Sequence, residues 1–193
     1  MSRFDNRSRV STYTQSWVSG EPDFGAFESI ATTTLSTSTA TIAFSSIPET
    51  YKHLQVRYLA RTDRAAFEDI VLVRFNSDTG SNYSRHYLYG DGASSGSGGA
   101  ASQTYILTDG CTGASTTASV FGCGVLDVFD YANTNKYKTL RGLTAYDRNG
   151  GGLIVANSGN WRSTSAITAI TITSFNSANF VQYSSFALYG VKG

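Results

Sequence analysis

From residue 27 to the end of the chain, large apolar residues alternate with small or polar ones, and clusters of Gly, Asn, Asp and Ser interrupt the pattern at short intervals. Successive side chains of an extended strand point to opposite faces, so a period of two predicts half-buried β-strands. The run Leu54-Gln-Val-Arg-Tyr-Leu-Ala-Arg61 places Leu54, Val56 and Tyr58 on one face, with Gln55, Arg57 and Arg61 on the other. Residues 70–75 are apolar on both faces except at Arg74, which predicts a central or covered strand. Further strands are expected at 40–44, 83–89, 104–107, 120–130, 137–146, 153–156, 166–173 and 180–191. Asn149-Gly150 signals a hairpin turn. Asp91-Gly-Ala-Ser-Ser-Gly-Ser-Gly-Gly99 predicts a flexible loop. The last run alternates almost to the final residue, so the C-terminus is expected inside a sheet, and its Leu188-Tyr189-Gly190 echoes Leu88-Tyr89-Gly90.

About ten strands without a 3.6-residue apolar stripe predict an all-β fold. The expected architecture is a two-sheet antiparallel β-sandwich, jelly-roll-like, spanning residues 27–193. Residues 1–26 differ. Arg3, Asp5, Arg7, Arg9, Glu21 and Asp23 crowd there with little periodicity, around an isolated Trp17 and before Phe24, and Pro22 breaks the run. This segment reads as an extended N-terminal arm, either a tail or a strap that orders when its aromatics bury against a partner.

Composition agrees with strands. Ser and Thr make up roughly a quarter of the 193 residues, 12 Tyr and 11 Phe supply packing area, and only 15% of the chain is charged. A net charge of +1 gives no general attraction to nucleic acid or to a membrane surface, so neither is expected as a partner. The first residues lack the apolar stretch of a secretory signal, so the protein is expected to stay in the reducing cytoplasm where it is made. Cys111 and Cys123 are expected as two buried thiols in that reducing compartment.

Motifs that could carry chemistry have simpler explanations. Gly92-Ala-Ser94-Ser-Gly96 matches a nucleophile elbow but lies in a Gly/Ser stretch with no helix to follow. Asp78-Thr-Gly-Ser81 matches an aspartic-protease tetrapeptide in a single copy, and a β-turn between Phe75 and Tyr83 accounts for it. His53, His86, Cys111 and Cys123 include no closely spaced ligand pair, so no metal and no cofactor are expected. Arg57 and Arg61 could meet acidic groups on a partner. Tyr83, Tyr87, Tyr89 and Trp161, with the 91–99 loop, could present rings to a glycan.

Several segments in order resemble a family of small tailed-bacteriophage virion proteins: Phe44-Ser-Ser-Ile-Pro48, Tyr51-Lys-His-Leu-Gln-Val-Arg57, Ala60-Arg-Thr-Asp-Arg64, Arg74-Phe-Asn76, Asp78-Thr-Gly-Ser-Asn-Tyr-Ser84, Leu88-Tyr-Gly90, Trp161-Arg-Ser-Thr-Ser-Ala-Ile167 and the run 180–191. The resemblance implies a non-enzymatic β-sandwich structural protein of the virion. A capsid decoration or cement protein is the expected role, as a homotrimer on the major capsid protein or another virion protein. Arg3, Arg7, Arg9, Trp17, Phe24, Arg57 and Arg61 are its expected partner-binding residues. The alternative is a tail-fibre, tailspike or baseplate component that binds a receptor or glycan.

Overall fold

The structure, a computed structural model, describes residues 26–193. Twelve strands follow one another: β1 (Phe27–Thr34), β2 (Thr41–Phe44), β3 (His53–Ala60), β4 (Glu68–Phe75), β5 (Tyr83–Gly90) and β6 (Ser95–Gln103), then β7 (Ile106–Thr112), β8 (Gly122–Phe129), β9 (Lys138–Asp147), β10 (Gly152–Trp161), β11 (Ile170–Ser174) and β12 (Ser185–Val191). They form an eight-stranded sheet in the order β1-β12-β3-β8-β9-β10-β5-β6 and a four-stranded sheet in the order β2-β11-β4-β7. Every pairing within the two sheets is antiparallel. The expected all-β sandwich is therefore what the chain forms.

The pairing is nested. β1 lies beside β12, β2 beside β11, β3 beside β8 and β4 beside β7, while β12 also pairs β3 and β11 pairs β4. A ribbon folded so that its first strand meets its last is the jelly roll. Two hairpins are inserted into it, β5–β6 between β4 and β7, and β9–β10 between β8 and β11. Both hairpins join the same sheet, β9 against β8 and β5 against β10, and so double its width.

The alternating positions meet between the sheets. Leu54, Val56, Leu126 and Leu188 of the wide sheet and Val73, Phe75, Ile170 and Ile172 of the narrow one belong to a single buried cluster. Aromatic rings close one end, where Tyr83 stacks on Trp161 at 6.2 Å and Phe75 lies 5.7 Å from Trp161. Phe180 and Phe186 meet edge to face at 4.9 Å. Fully burying one such side chain contributes about 1.5–3 kcal/mol, so this layer supplies the main drive for folding.

Strand bounds differ from expectation where the pattern is faint. The 91–99 segment is not a flexible loop. Asp91 to Ser94 is a turn in which the Asp91 carboxylate accepts the Ala93 and Ser94 amides at 2.9 and 2.6 Å, and β6 begins at Ser95. Gly96 and Gly98 face Tyr89 and Tyr87 across the pair, and a Cβ there would lie 2.6 and 2.5 Å from the tyrosine side chains. The glycines leave room for the rings, so this strand is built from its neighbour's aromatics rather than its own. The hairpin at Asn149-Gly150 forms as expected, with positive φ angles of 57° and 108°. β10 runs to Trp161, well beyond 156, and β12 starts only at Ser185.

Polar knots fasten the ends of the strands. The Asp69 carboxylate, fully buried, accepts hydrogen bonds from Thr62 at 2.8 Å, Ser174 at 2.7 Å and Asn176 at 2.7 Å. Asp69→Ala leaves three donors without their acceptor and is expected to cost about 3 kcal/mol, measurable as a lowered midpoint in urea unfolding. At another corner Lys136 and Lys52 grip Asp130 at 2.6 and 3.0 Å, holding its carboxyl down at about 2. A depressed carboxyl stabilises the fold above its unfolded value of about 4 and loses that contribution as pH falls through about 2. Asp130→Asn is therefore expected to unfold more readily than the parent at pH 7, with the two stabilities converging near pH 2.

Candidate functional site: the outer face of the wide sheet

The outer face of the eight-stranded sheet carries an apolar band. Cross-strand register places Leu59, Cys123, Ala145 and Ile154 in one row, and Val125, Leu143, Ala156 and Leu88 in the next. Five bulky members are exposed: Leu88 at 64%, Leu143 at 55%, Ile154 at 53%, Leu59 at 46% and Val125 at 39%. Single exposed leucines need no explanation, but these are neighbours on five adjacent strands. Together they offer on the order of 500 Å² of contiguous apolar surface, the size at which a patch marks an interaction site.

A polar ladder borders the band. Arg57 donates to Gln55 at 2.6 Å, Gln55 to Asp127 at 2.7 Å, and Arg141 to Asp127 at 2.8 Å, crossing β3, β8 and β9. The Arg57 guanidinium lies 5.1 Å from the Tyr189 ring and 5.4 Å from the Phe27 ring. The ladder sets two guanidiniums, Arg57 and Arg141, against the single Asp127 carboxylate, so the rim keeps an excess positive charge. At the other end Leu59, Phe121, Cys123 and Ile154 line a shallow recess bounded by the β5–β6 and β9–β10 turns.

The expected site residues separate. Arg3, Arg7, Arg9, Trp17 and Phe24 lie outside the described residues. Arg57 stands exposed at the rim of the band, whereas Arg61 turns into its own molecule. Its guanidinium donates to the carbonyls of Thr117, Val120, Ala114 and Thr116 at 3.0, 3.1, 3.1 and 2.7 Å, clamping the loop between β7 and β8. Arg61 thus anchors this loop.

The motif residues are likewise engaged at home. Asp78 accepts the Trp161 indole N–H at 2.7 Å, the Asn82 amide at 2.9 Å and the Gly80 backbone at 2.8 Å, and the Trp161 and Asn82 bonds hold its carboxyl below the usual range. The tetrapeptide forms the turn between Phe75 and Tyr83. Ser94 donates its hydroxyl to Asp91 at 2.9 Å in a strand–turn–strand setting. Among the described residues no group of three or more His, Cys, Asp or Glu is placed to hold a metal. Of the four rings set aside for a glycan, Tyr83 and Trp161 are core residues, and only Tyr87 and Tyr89 remain beside a groove.

The band is hard to see in the sequence because alternation marks only the buried face of each strand. Its signal was the apolar neighbours inside strands, Val125-Leu126 and Ile154-Val155, where one member of each pair must face outward. Searches among protein-family models, curated proteins and solved structures find no match to this chain.

The cysteines are unbridged and correct the expectation of two buried thiols: Cys111 is buried, and Cys123 is exposed within the band. Burial pushes the Cys111 thiol far up, so little of it is thiolate at neutral pH. The native protein is expected to titrate one thiol with Ellman's reagent, and two after denaturation. Cys123→Ser is expected to abolish the native reaction.

Proposed function

We propose that this chain is a non-enzymatic structural protein of a bacteriophage virion, a decoration protein that assembles as a homotrimer on the outer capsid surface and stabilises the particle. The observation that carries this reading is the apolar band on a broad sheet face. Such a surface is costly to leave in water and is suited to permanent burial against neighbouring copies. At about 4.8 Å per strand and 3.3 Å per residue the face measures roughly 900 Å². A standard interface needs about 800 Å² from each partner. The order and spacing of the segments that resemble tailed-phage virion proteins support the same setting, and the N-terminal arm would reach across adjoining capsid subunits. Attachment repeated over several subunits multiplies modest contacts through effective concentration.

A tail-fibre, tailspike or baseplate role is the second reading, favoured by the tyrosine groove beside β5. Position on the particle separates the two. Nanogold-labelled protein is expected on the capsid facets, label at the tail tip would overturn the decoration role, and absence from the virion would overturn both. Leu143→Glu places a charge at the centre of the band and is expected to weaken self-association at least tenfold by light scattering. The same change at the exposed Tyr137, outside the band, is expected to have no effect. An unchanged mass for Leu143→Glu would remove the band from the assembly.

A further inference from the structure

Because the inserted hairpins carry the wide sheet past the narrow one, part of its inner face has no second sheet to pack on. There β7, the edge strand of the narrow sheet, faces β10 and β5 across a groove of about 570 Å³. Tyr87 and Tyr89 of β5 line it together with Glu68, Asp109, Tyr146 and Arg148. Both β5 tyrosines point inward from alternate positions of one strand, their rings 6.3 Å apart. The glycines opposite them on β6 leave room for the two side chains to lean across that strand.

The polar groups of this region are fixed yet incompletely satisfied. Tyr146 donates its hydroxyl to Glu68, and Arg85 donates to Asp109 at 3.2 Å while lying 4.1 Å from the Tyr87 ring. Arg85 is only 8% exposed, and among the described residues its Nη1 has no hydrogen-bond partner; neither has Nε of Arg148, which stacks 4.4 Å from Phe67. Nor has Oδ1 of Asn157, 3% exposed on the adjoining strand β10. Buried donors and acceptors are almost always paired, so an orphan in the groove wall at Arg148 and two more beside Tyr87, at Arg85 and Asn157, point to hydrogen-bonding matter that the described residues do not supply.

We propose that this groove binds a neutral saccharide. A pyranose offers a flat C–H face to an aromatic ring and a fringe of hydroxyls that both donate and accept, which suits Tyr89 beneath and Glu68, Asp109 and Arg148 around it. Phosphate or nucleotide fits poorly, because the carboxylates of Glu68, Asp91 and Asp109 outnumber the guanidinium groups of Arg85 and Arg148. An apolar ligand would strand the polar walls. The proposal does not depend on where in a virion the chain sits, and the outer band takes no part in it.

The test is calorimetric titration of the full chain with maltohexaose, cellohexaose, laminarihexaose and chitohexaose, backed by a glycan array. At least one neutral sugar is expected to bind saturably with Kd of about 1 mM or tighter. Tyr89→Ala and Glu68→Gln are each expected to weaken it at least tenfold, and Tyr89→Phe, which keeps the ring, to retain it. Leu143→Glu, on the opposite face, is expected to leave it unchanged, so that sugar binding and assembly fail independently. No binding to any neutral glycan, binding indifferent to both Tyr89→Ala and Glu68→Gln, or competition by inorganic phosphate would overturn the proposal.

Discussion

The insertion of β12 between β1 and β3 is the contact on which the other pairings depend. It brings Phe27 opposite Val191 and Leu188 opposite Val56, joining the two ends of the sandwich through one strand with hydrogen bonds on both sides. Without it β1 has no neighbour in the sheet, and β3 becomes an edge. Contacts between such distant parts of a chain are gained only after a large loop-closure entropy has been overcome, so they form late and cooperatively. The hairpins β5–β6 and β9–β10 are the local counterpart. Their partners are close in sequence, and they extend a sheet whose centre is held by the long-range pairs.

The strands that the sequence made legible were those with both a strong alternation and bulky residues, such as β3, β4 and β9. Their faces followed directly, down to Val71, Leu72 and Val73 buried together in the interior of the narrow sheet. β6 was hidden because its own residues are glycine, serine and alanine, and what makes it a strand is the neighbouring Tyr87 and Tyr89. The two Leu-Tyr-Gly tripeptides show the same limit. Leu188 is fully buried, whereas Leu88 is 64% exposed, since the two strands present opposite faces at that position. A tripeptide fixes alternation, but which side is inside depends on pairing register. Arg61 shares a strand face with Arg57 in the pattern, and only the course of the loop at 113–121 turns it inward.

Both candidate surfaces follow from one asymmetry. Eight strands cannot be covered by four, so the wide sheet has a surplus of inner face, and that surplus becomes the groove beside Tyr89. The same widening gives the outer face enough breadth for two adjacent apolar rows, with a hydrogen-bonded ladder of Arg57, Gln55, Asp127 and Arg141 at their border. Asp78 and Ser94, by contrast, are held by their own turns. What the wide sheet presents on both sides is patterned area, apolar without and aromatic within.

The two inserted hairpins also make the sheet a ruler. Each enters at a connection between strands of the nested core, and each adds two strands, or roughly 10 Å of width, without disturbing the pairing of first strand with last. The size of the face is therefore set by the hairpins, whose inner residues Leu140, Trp161 and Tyr83 also complete the buried core. Footprint and core are thus coupled in this molecule: the strands that broaden the outer face are the ones whose inner rings close one end of the sandwich.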